Sequence, residues 1–520
     1  MRLSEAKYGK LLNENYEEAF SLENRFKFFN ANLFSLFTEK QQHLMLEIED
    51  RCVKFYPKTL EHLNDVYVLF SEFAQIMSNF KTYTNEEIEG SAKLQSIRDL
   101  CVNAMCPELT WAFGASMLCI RSLMHNPNRS EVQEKAYQEL VSGEKVGGIG
   151  ITEPLKGSDA VNMQTIASID EEKGTITYNG VKVFTTNGAV ADYFTTYGVL
   201  DVSDPRGTMM LTLFTREDLG LSTERLRIPA AEPGVGIAKV IYDNVTVPID
   251  RMVAPPGEGY RRLFRGLVPE RLGIIMQALG LVWDSLAQGT IFAQMRHQFG
   301  KPLMKYQGIS HVLSDIYADL AAYTAFSFHI AEFYDTKIMP CIHEGKYPKR
   351  EDESSLAFNT AQAKYLSAKL SHHATYEIIQ TMGGRGAINE LGSNCSISRI
   401  ENITRIIEVT GGHRNIQLML IEGGLRNSTL PYIHENIKMA KKEVDMNNKA
   451  VFENFLKRAR KIKTESSEEL SETTRTALVS AIQEYDTAFE KKNSIVIGAY
   501  ARAIPKIVIG AEKELKKSKK

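Results

Sequence analysis

At 520 residues the chain exceeds what one hydrophobic core usually supports, so its length predicts roughly three or four domain-sized units. Apolar residues at 43% and charged residues at 24% exclude a disordered or fibrous chain. With 62 Lys plus Arg against 64 Asp plus Glu, the net charge of -2 gives no global attraction to nucleic acid or membrane. Six cysteines, Cys52, Cys101, Cys106, Cys119, Cys341 and Cys395, show no CxxC pair and no His at zinc spacing, which points to reduced thiols and a cytoplasmic protein. The opening stretch MRLSEAKYGKLLNENYEEAF has no secretory or transit pattern, and no run reaches the ~18 consecutive apolar residues of a membrane span.

In chain order, Lys7 to about Glu139 reads as helical, with apolar residues such as Leu60, Leu63, Val66 and Leu69 three apart. From Gly147-Gly148 the texture changes to short Val/Thr/Tyr-rich runs, TITYNGVKVFTT, DYFTTYGVL, MMLTLFTRE and GIAKVIYDNVTVP, which predict strands. After Pro255-Pro256-Gly257 helical periodicity returns, with Leu272, Ile275, Met276 and Leu279 on one stripe, and persists to about Leu425. Residues from Pro431 onward carry an excess of six positive charges and still space Val451, Phe452, Phe455 and Leu456 as a helix would. The expected architecture is α+β, divided as a helical domain 1–145, a β domain 146–258, a four-helix bundle 259–428 and a charged helical extension 429–520.

Four clusters in fixed order carry the chemistry. The first, Gly150-Ile-Thr-Glu-Pro-Leu-Lys-Gly-Ser-Asp159, offers hydroxyls and free N–H groups in a tight bend, suited to a ring carbonyl and a phosphate, although a plain β-turn reads the same way. The second, Asn179 to Gly188, puts Phe184, Thr185 and Thr186 before an Asn-Gly turn, which also fits an ordinary hairpin. The third begins at Pro269-Glu270-Arg271, read as a helix start, and runs to Arg296-His-Gln-Phe-Gly-Lys-Pro302. The fourth joins Gln380-Thr-Met-Gly-Gly384 to Gly411-Gly-His-Arg-Asn-Ile-Gln417.

Taken together, these clusters resemble the acyl-CoA dehydrogenase family of flavoproteins over about residues 20 to 425. The resemblance implies FAD as cofactor, with Ile151 and Thr152 bordering the flavin pyrimidine, Ser158 the pyrophosphate, Thr186 the N5 edge and Phe184 an aromatic wall where relatives usually carry Trp. It implies that Arg296 and Phe299 reach the FAD of a neighbouring subunit, while Gln380, Gly383 and Gly384 hold the adenosine half, so a homodimer or homotetramer is expected. Where many members place the catalytic Glu, this chain has Gly411. Isovaleryl-CoA and long-chain acyl-CoA dehydrogenases instead take the base from the helix that carries Glu-Arg, which points to Glu270.

Three alternatives stand beside that assignment: Glu270 as a first-turn acid at a helix N-terminus, Glu408 as the base, or no carboxylate base. His413, where the family usually has Thr, either titrates or only hydrogen-bonds. The implied activity is α,β-dehydrogenation of an acyl-CoA to the 2-enoyl-CoA, with electrons passed to an electron-transfer flavoprotein. An acyl-CoA oxidase and an alkylation-response-type flavoprotein associated with DNA are the alternatives. The 13 acids interspersed in the basic tail argue against nucleic acid, and no membrane or metal partner is expected.

Overall fold

A computed structural model describes residues 18–104, 106–126, 128–230, 234–344, 346, 348–387, 397–427 and 449–490, with 504, 507–509, 511–512 and 514–515. Cys395 and most of the expected extension up to residue 448 lie outside the described residues, as do the side chains of Val451 and Phe452. The chain divides into two compact units, Met1–Gly424 and Leu425–Lys520.

The longer helices before the sheet are α1 (Leu22–Leu33), α2 (Glu39–Glu61), α3 (Ala92–Asn103), α4 (Pro107–Met124) and α5 (Glu131–Val141). Their starts are written locally. Ser21, Thr38, Ser91 and Ser130 each accept a hydrogen bond from an N–H of the first turn, Gln41 closes a capping box with Thr38, and Pro107 opens α4 where no N–H is needed. The apolar spacing from Leu60 to Leu69 is not one helix: α2 stops at Glu61, and Val66–Leu69 is a separate 3-10 turn begun by the Asp65 side chain.

Eight strands follow: β1 (Gly147–Gly150), β2 (Ile166–Asp170), β3 (Thr175–Thr185), β4 (Tyr193–Val199), β5 (Met209–Thr215), β6 (Leu221–Arg225), β7 (Ala238–Pro248) and β8 (Met252–Ala254). Their order is β6-β7-β3-β2-β4-β5-β8, with β1 running parallel to β4. Strand β4 is buried along its whole length, which explains its lack of polar alternation.

Then come α6 (Gly259–Met295), α7 (Gln307–Phe333), α8 (Arg350–Met382), α9 (Ile397–Val409) and α10 (Arg414–Asn427). The stripe Leu272, Ile275, Met276 and Leu279 is buried on α6. A buried Arg25–Asp284 ion pair ties α1 to α6, and the Trp283 indole donates to Thr324 at 3.1 Å across to α7. A separate core of Cys119, Leu123, Leu140, Tyr197, Leu211 and Leu263 joins α4 and α5 to β4, β5 and the start of α6. Glu270 lies beside this core.

In the second unit α11 (Lys449–Glu465) and α12 (Glu472–Glu490) share a core that includes Leu456, Ile462, Leu478 and Ile482. The Arg458 guanidinium donates to Glu512 at 2.9 and 2.6 Å, so part of the basic surplus is spent inside the unit.

Candidate active site

The loop after β1 is held from inside. Glu153 turns inward and is 4% exposed. Its carboxylate accepts from the Gln164 N–H at 2.6 Å, the Thr165 N–H at 2.8 Å, the Thr165 hydroxyl at 2.6 Å and Lys182 Nζ at 2.8 Å. Burial opposes the charge, but Lys182 and these donors hold the Glu153 carboxyl below its ordinary pKa. Burial pushes the fully enclosed Lys182 ammonium down to about 8. Residues 153–156 form a tight turn as well, with the Glu153 N–H donating to the Lys156 carbonyl at 3.0 Å. The turn therefore presents half-buried Ile151 and Thr152 and exposed Ser158 from an anchored base.

The end of β3 does not form the ordinary hairpin that its Asn-Gly pair suggests, because β3 pairs with β2 and β7 while β4 lies beyond β2. Phe184 and Asn187 both adopt positive φ, 55° and 66°. Asn187 is locked by accepting from the Tyr67 hydroxyl at 2.9 Å and donating to the carbonyls of Ala112 at 2.8 Å and Gly147 at 2.9 Å. Phe184 is left 62% exposed, Thr186 is half-buried, and the buried Thr185 hydroxyl has no hydrogen-bond partner among the described residues.

Glu270 does not open a helix. Helix α6 begins eleven residues earlier, at Gly259, and runs through Pro269. Pro269 is an interior proline and not a first-turn one, because packing of α6 against α8 and α3 outweighs the one hydrogen bond that the proline removes. A helix-N-terminus role for Glu270 is thereby overturned. The same helix stops at Met295, so the expected continuation to Pro302 is replaced by a two-stranded hairpin, β9 (His297–Gln298) and β10 (Lys301–Pro302).

Glu270 lines a cleft that opens to solvent. Leu118, Ile149, Ile151, Tyr197, Leu211 and Leu263 form its apolar wall, and Arg121, Ser122, His125 and Arg262 its polar side. Glu270 is the one carboxylate lining it, and it has no ion pair within 4 Å among the described residues. Burial raises its pKa to about 7, against the weaker pull of Arg271, Arg121 and Lys364. Such a carboxylate is poised near neutral pH to take a proton.

Gly411 follows the end of α9 with φ 66°, and a Cβ there would lie 2.7 Å from Ile274 Cδ1. Its carbonyl accepts from Arg271 Nε at 3.1 Å and Gln417 Nε2 at 3.2 Å, which leaves its N–H without a hydrogen bond among the described residues. Buried Lys364, on α8, donates to the carbonyls of Glu408 at 2.8 Å and Gly412 at 3.0 Å, so three side chains from α6, α8 and α10 fix this turn. Burial pushes Lys364 down to about 8. Glu408 points elsewhere, 3.8 Å from His372 and 3.9 Å from Arg414, and does not line the cleft. His413 accepts from the Asn415 N–H at 3.2 Å and so caps α10.

The remaining sequence candidates stand apart from the cleft. Arg296 is exposed where α6 ends. Phe299 and Gly300 form the hairpin tip at φ 50° and 83°, with the Phe299 ring 94% exposed. Gln380 is exposed near the end of α8, which Gly383 terminates at φ 61°, and among the described residues no atom beyond the adjoining chain comes within 4 Å of where a Cβ on Gly383 or Gly384 would stand.

Sequence reasoning missed Lys182, Lys364 and Arg121. The available signal was a lysine inside an apolar strand at Val181-Lys-Val183, and another inside the small-residue run of α8. The partner of each is remote in sequence and no local pattern names it.

The chain also matches known proteins. The acyl-CoA dehydrogenase middle domain matches residues 148–245, and the acyl-CoA dehydrogenase C-terminal domain matches residues 257–425. The short-chain-specific acyl-CoA dehydrogenase of Megasphaera elsdenii is 30% identical over 328 residues, 62% of this chain and 75% of that protein. The mitochondrial isovaleryl-CoA dehydrogenase of Oryza sativa subsp. japonica is 27% identical over 313 residues, 60% of this chain and 70% of that one. Among solved structures, butyryl-CoA dehydrogenase from Megasphaera elsdenii superposes with a TM-score of 0.64 at 25% identity, covering 75% of this chain and 98% of its own. With the helical, β, helical order of the first unit, these matches establish that the chain belongs to the acyl-CoA dehydrogenase family.

Proposed function

We propose that the chain removes an α-proton and a β-hydride from an acyl-CoA thioester to give the 2-enoyl-CoA, with Glu270 as the base. One observation carries this reading: among the described residues Glu270 is the one carboxylate lining an apolar-walled cleft, with no ion pair within 4 Å and a pKa raised to about 7. The α-proton passes to its carboxylate. The N–H of Gly411, whose carbonyl side is fully engaged, is a donor for the developing enolate-like oxygen. Arg271, Lys364 and Gln417 keep that donor oriented, because each bonds a carbonyl of the same turn or of the end of α9.

The residues present fit FAD. Among the described residues the Thr185 hydroxyl is buried and unpartnered, beside half-buried Thr186 and exposed Phe184, and nothing crowds the places where a Cβ on Gly383 or Gly384 would stand. Ile151, Thr152, Ser158, Phe184 and Thr186 would hold the flavin and its pyrophosphate, and Gln380, Gly383 and Gly384 the adenosine half. FAD, when bound, supplies the two-electron acceptor for the β-hydride. A 94%-exposed Phe299 on a short hairpin beside exposed Arg296 supports a site completed by a second copy of the chain. An electron-transfer flavoprotein is the proposed oxidant of the reduced enzyme.

Anaerobic bleaching of the purified flavin by straight, branched and cyclic acyl-CoA thioesters tests the reading, followed by reoxidation with an electron-transfer flavoprotein and, separately, with air. Bleaching by at least one thioester and slow reoxidation in air are expected. A colourless protein, or flavin that no thioester reduces, would overturn it.

A further inference from the structure

The cleft that holds Glu270 carries more positive charge than an aliphatic acyl chain needs. On α4 the residues Leu118, Arg121, Ser122 and His125, three and four apart, share one face and all line the cleft. Arg121 donates from Nη2 to Gln95 Oε1 at 3.0 Å, and its other guanidinium donors make no hydrogen bond among the described residues. Arg262 enters from the start of α6, 3.8 Å from Glu258. An apolar tail laid against Arg121 would strip water from a cation and return nothing, whereas a carboxylate would pair with it through charge-assisted hydrogen bonds.

Resting on the dehydrogenase reading above, we propose that the acyl group this site selects ends in a carboxylate, and that Arg121, with Ser122 beside it, binds that end. The coenzyme's phosphates are the other anions a CoA thioester brings. They lie a whole pantetheine arm away from the thioester, while Arg121 shares the cleft with the base that must reach the α-carbon. The planar fork of Arg suits a carboxylate better than a point charge does, and the apolar wall of Leu118, Tyr197 and Leu211 fits the methylenes between.

The test compares ω-carboxyacyl-CoA thioesters with neutral thioesters of equal carbon number, by anaerobic flavin reduction of the holoenzyme. The wild type should favour a carboxylated member. Arg121→Met should lower the carboxylated-to-neutral ratio of kcat/KM by about 10²-fold, mostly through KM, and Arg121→Lys should restore part of it. Because the ratio is taken within one preparation, partial misfolding cancels, and Arg121→Gln serves if the Met variant does not fold. Reduction by neutral thioesters alone overturns the proposal and leaves the dehydrogenase reading standing, whereas reduction by neither class overturns both. An equal loss for both members in Arg121→Met assigns Arg121 to the shared CoA portion and also overturns the proposal.

Discussion

Two glutamates of this chain, Glu153 buried and Glu270 half-buried, are held in opposite ways. Glu153, under the β1 loop, receives a lysine, a hydroxyl and two N–H groups, and is held ionised. Glu270, on α6, lines a cleft with an apolar wall, has no ion pair within 4 Å among the described residues, and is pushed up to about 7 by burial. Desolvation acts on both, so the donors placed around each carboxylate decide whether it is held ionised or pushed toward the neutral form.

The two sites should respond to substitution in opposite ways. Lys182→Met leaves the Glu153 charge buried without its partner and should cost about 3–5 kcal/mol of stability, read from denaturant unfolding. The double variant Lys182→Met with Glu153→Gln should cost less than Lys182→Met alone, because no uncompensated charge remains. Equal losses would mean that the loop is not held by the pair.

Glu270→Gln should slow flavin reduction by at least about 10²-fold, while CoA-thioester binding persists. Its stability should move the other way. A carboxyl with a raised folded-state pKa stabilises the fold most fully when protonated, and that contribution is lost as pH rises from about 4.5 to about 7. At pH 8 the Gln variant should therefore be more stable than the wild type by roughly 1–3 kcal/mol. Normal reduction by Glu270→Gln would remove Glu270 from the chemistry.

The same ionisation should shape the rate. Reduction should climb about tenfold per pH unit below about 7 and level off above it, since only the carboxylate accepts the α-proton. A rate independent of pH across that range would show that another group is the base.

Gly411→Ala should destabilise by about 1–3 kcal/mol, through its positive φ and the approach to Ile274, and Ile274→Ala should relieve part of the loss. Glu408→Gln should change flavin reduction by no more than about threefold, because its carboxylate faces Arg414 and His372 near the surface. A large effect at Glu408 would break the contrast between the cleft and its surroundings.

Local patterns in the sequence were enough for the helical, β, helical order, the buried stripe from Leu272 to Leu279 and the caps at Ser21, Thr38, Ser91 and Ser130, because each depends on residues within a turn or two. The four motif clusters were legible for the same reason, whereas Glu270 as candidate base came from their resemblance to the family. Tertiary structure decided the rest. Whether Pro269 starts α6 or sits inside it depends on helices packed against that segment from distant parts of the chain. Lys182 finds Glu153, Lys364 finds the Gly411 turn, and Arg121 shares a cleft with Glu270, across separations that no periodicity records. A carboxylate's protonation is set by the charges and donors within a few ångströms of it, and only the folded chain brings those together.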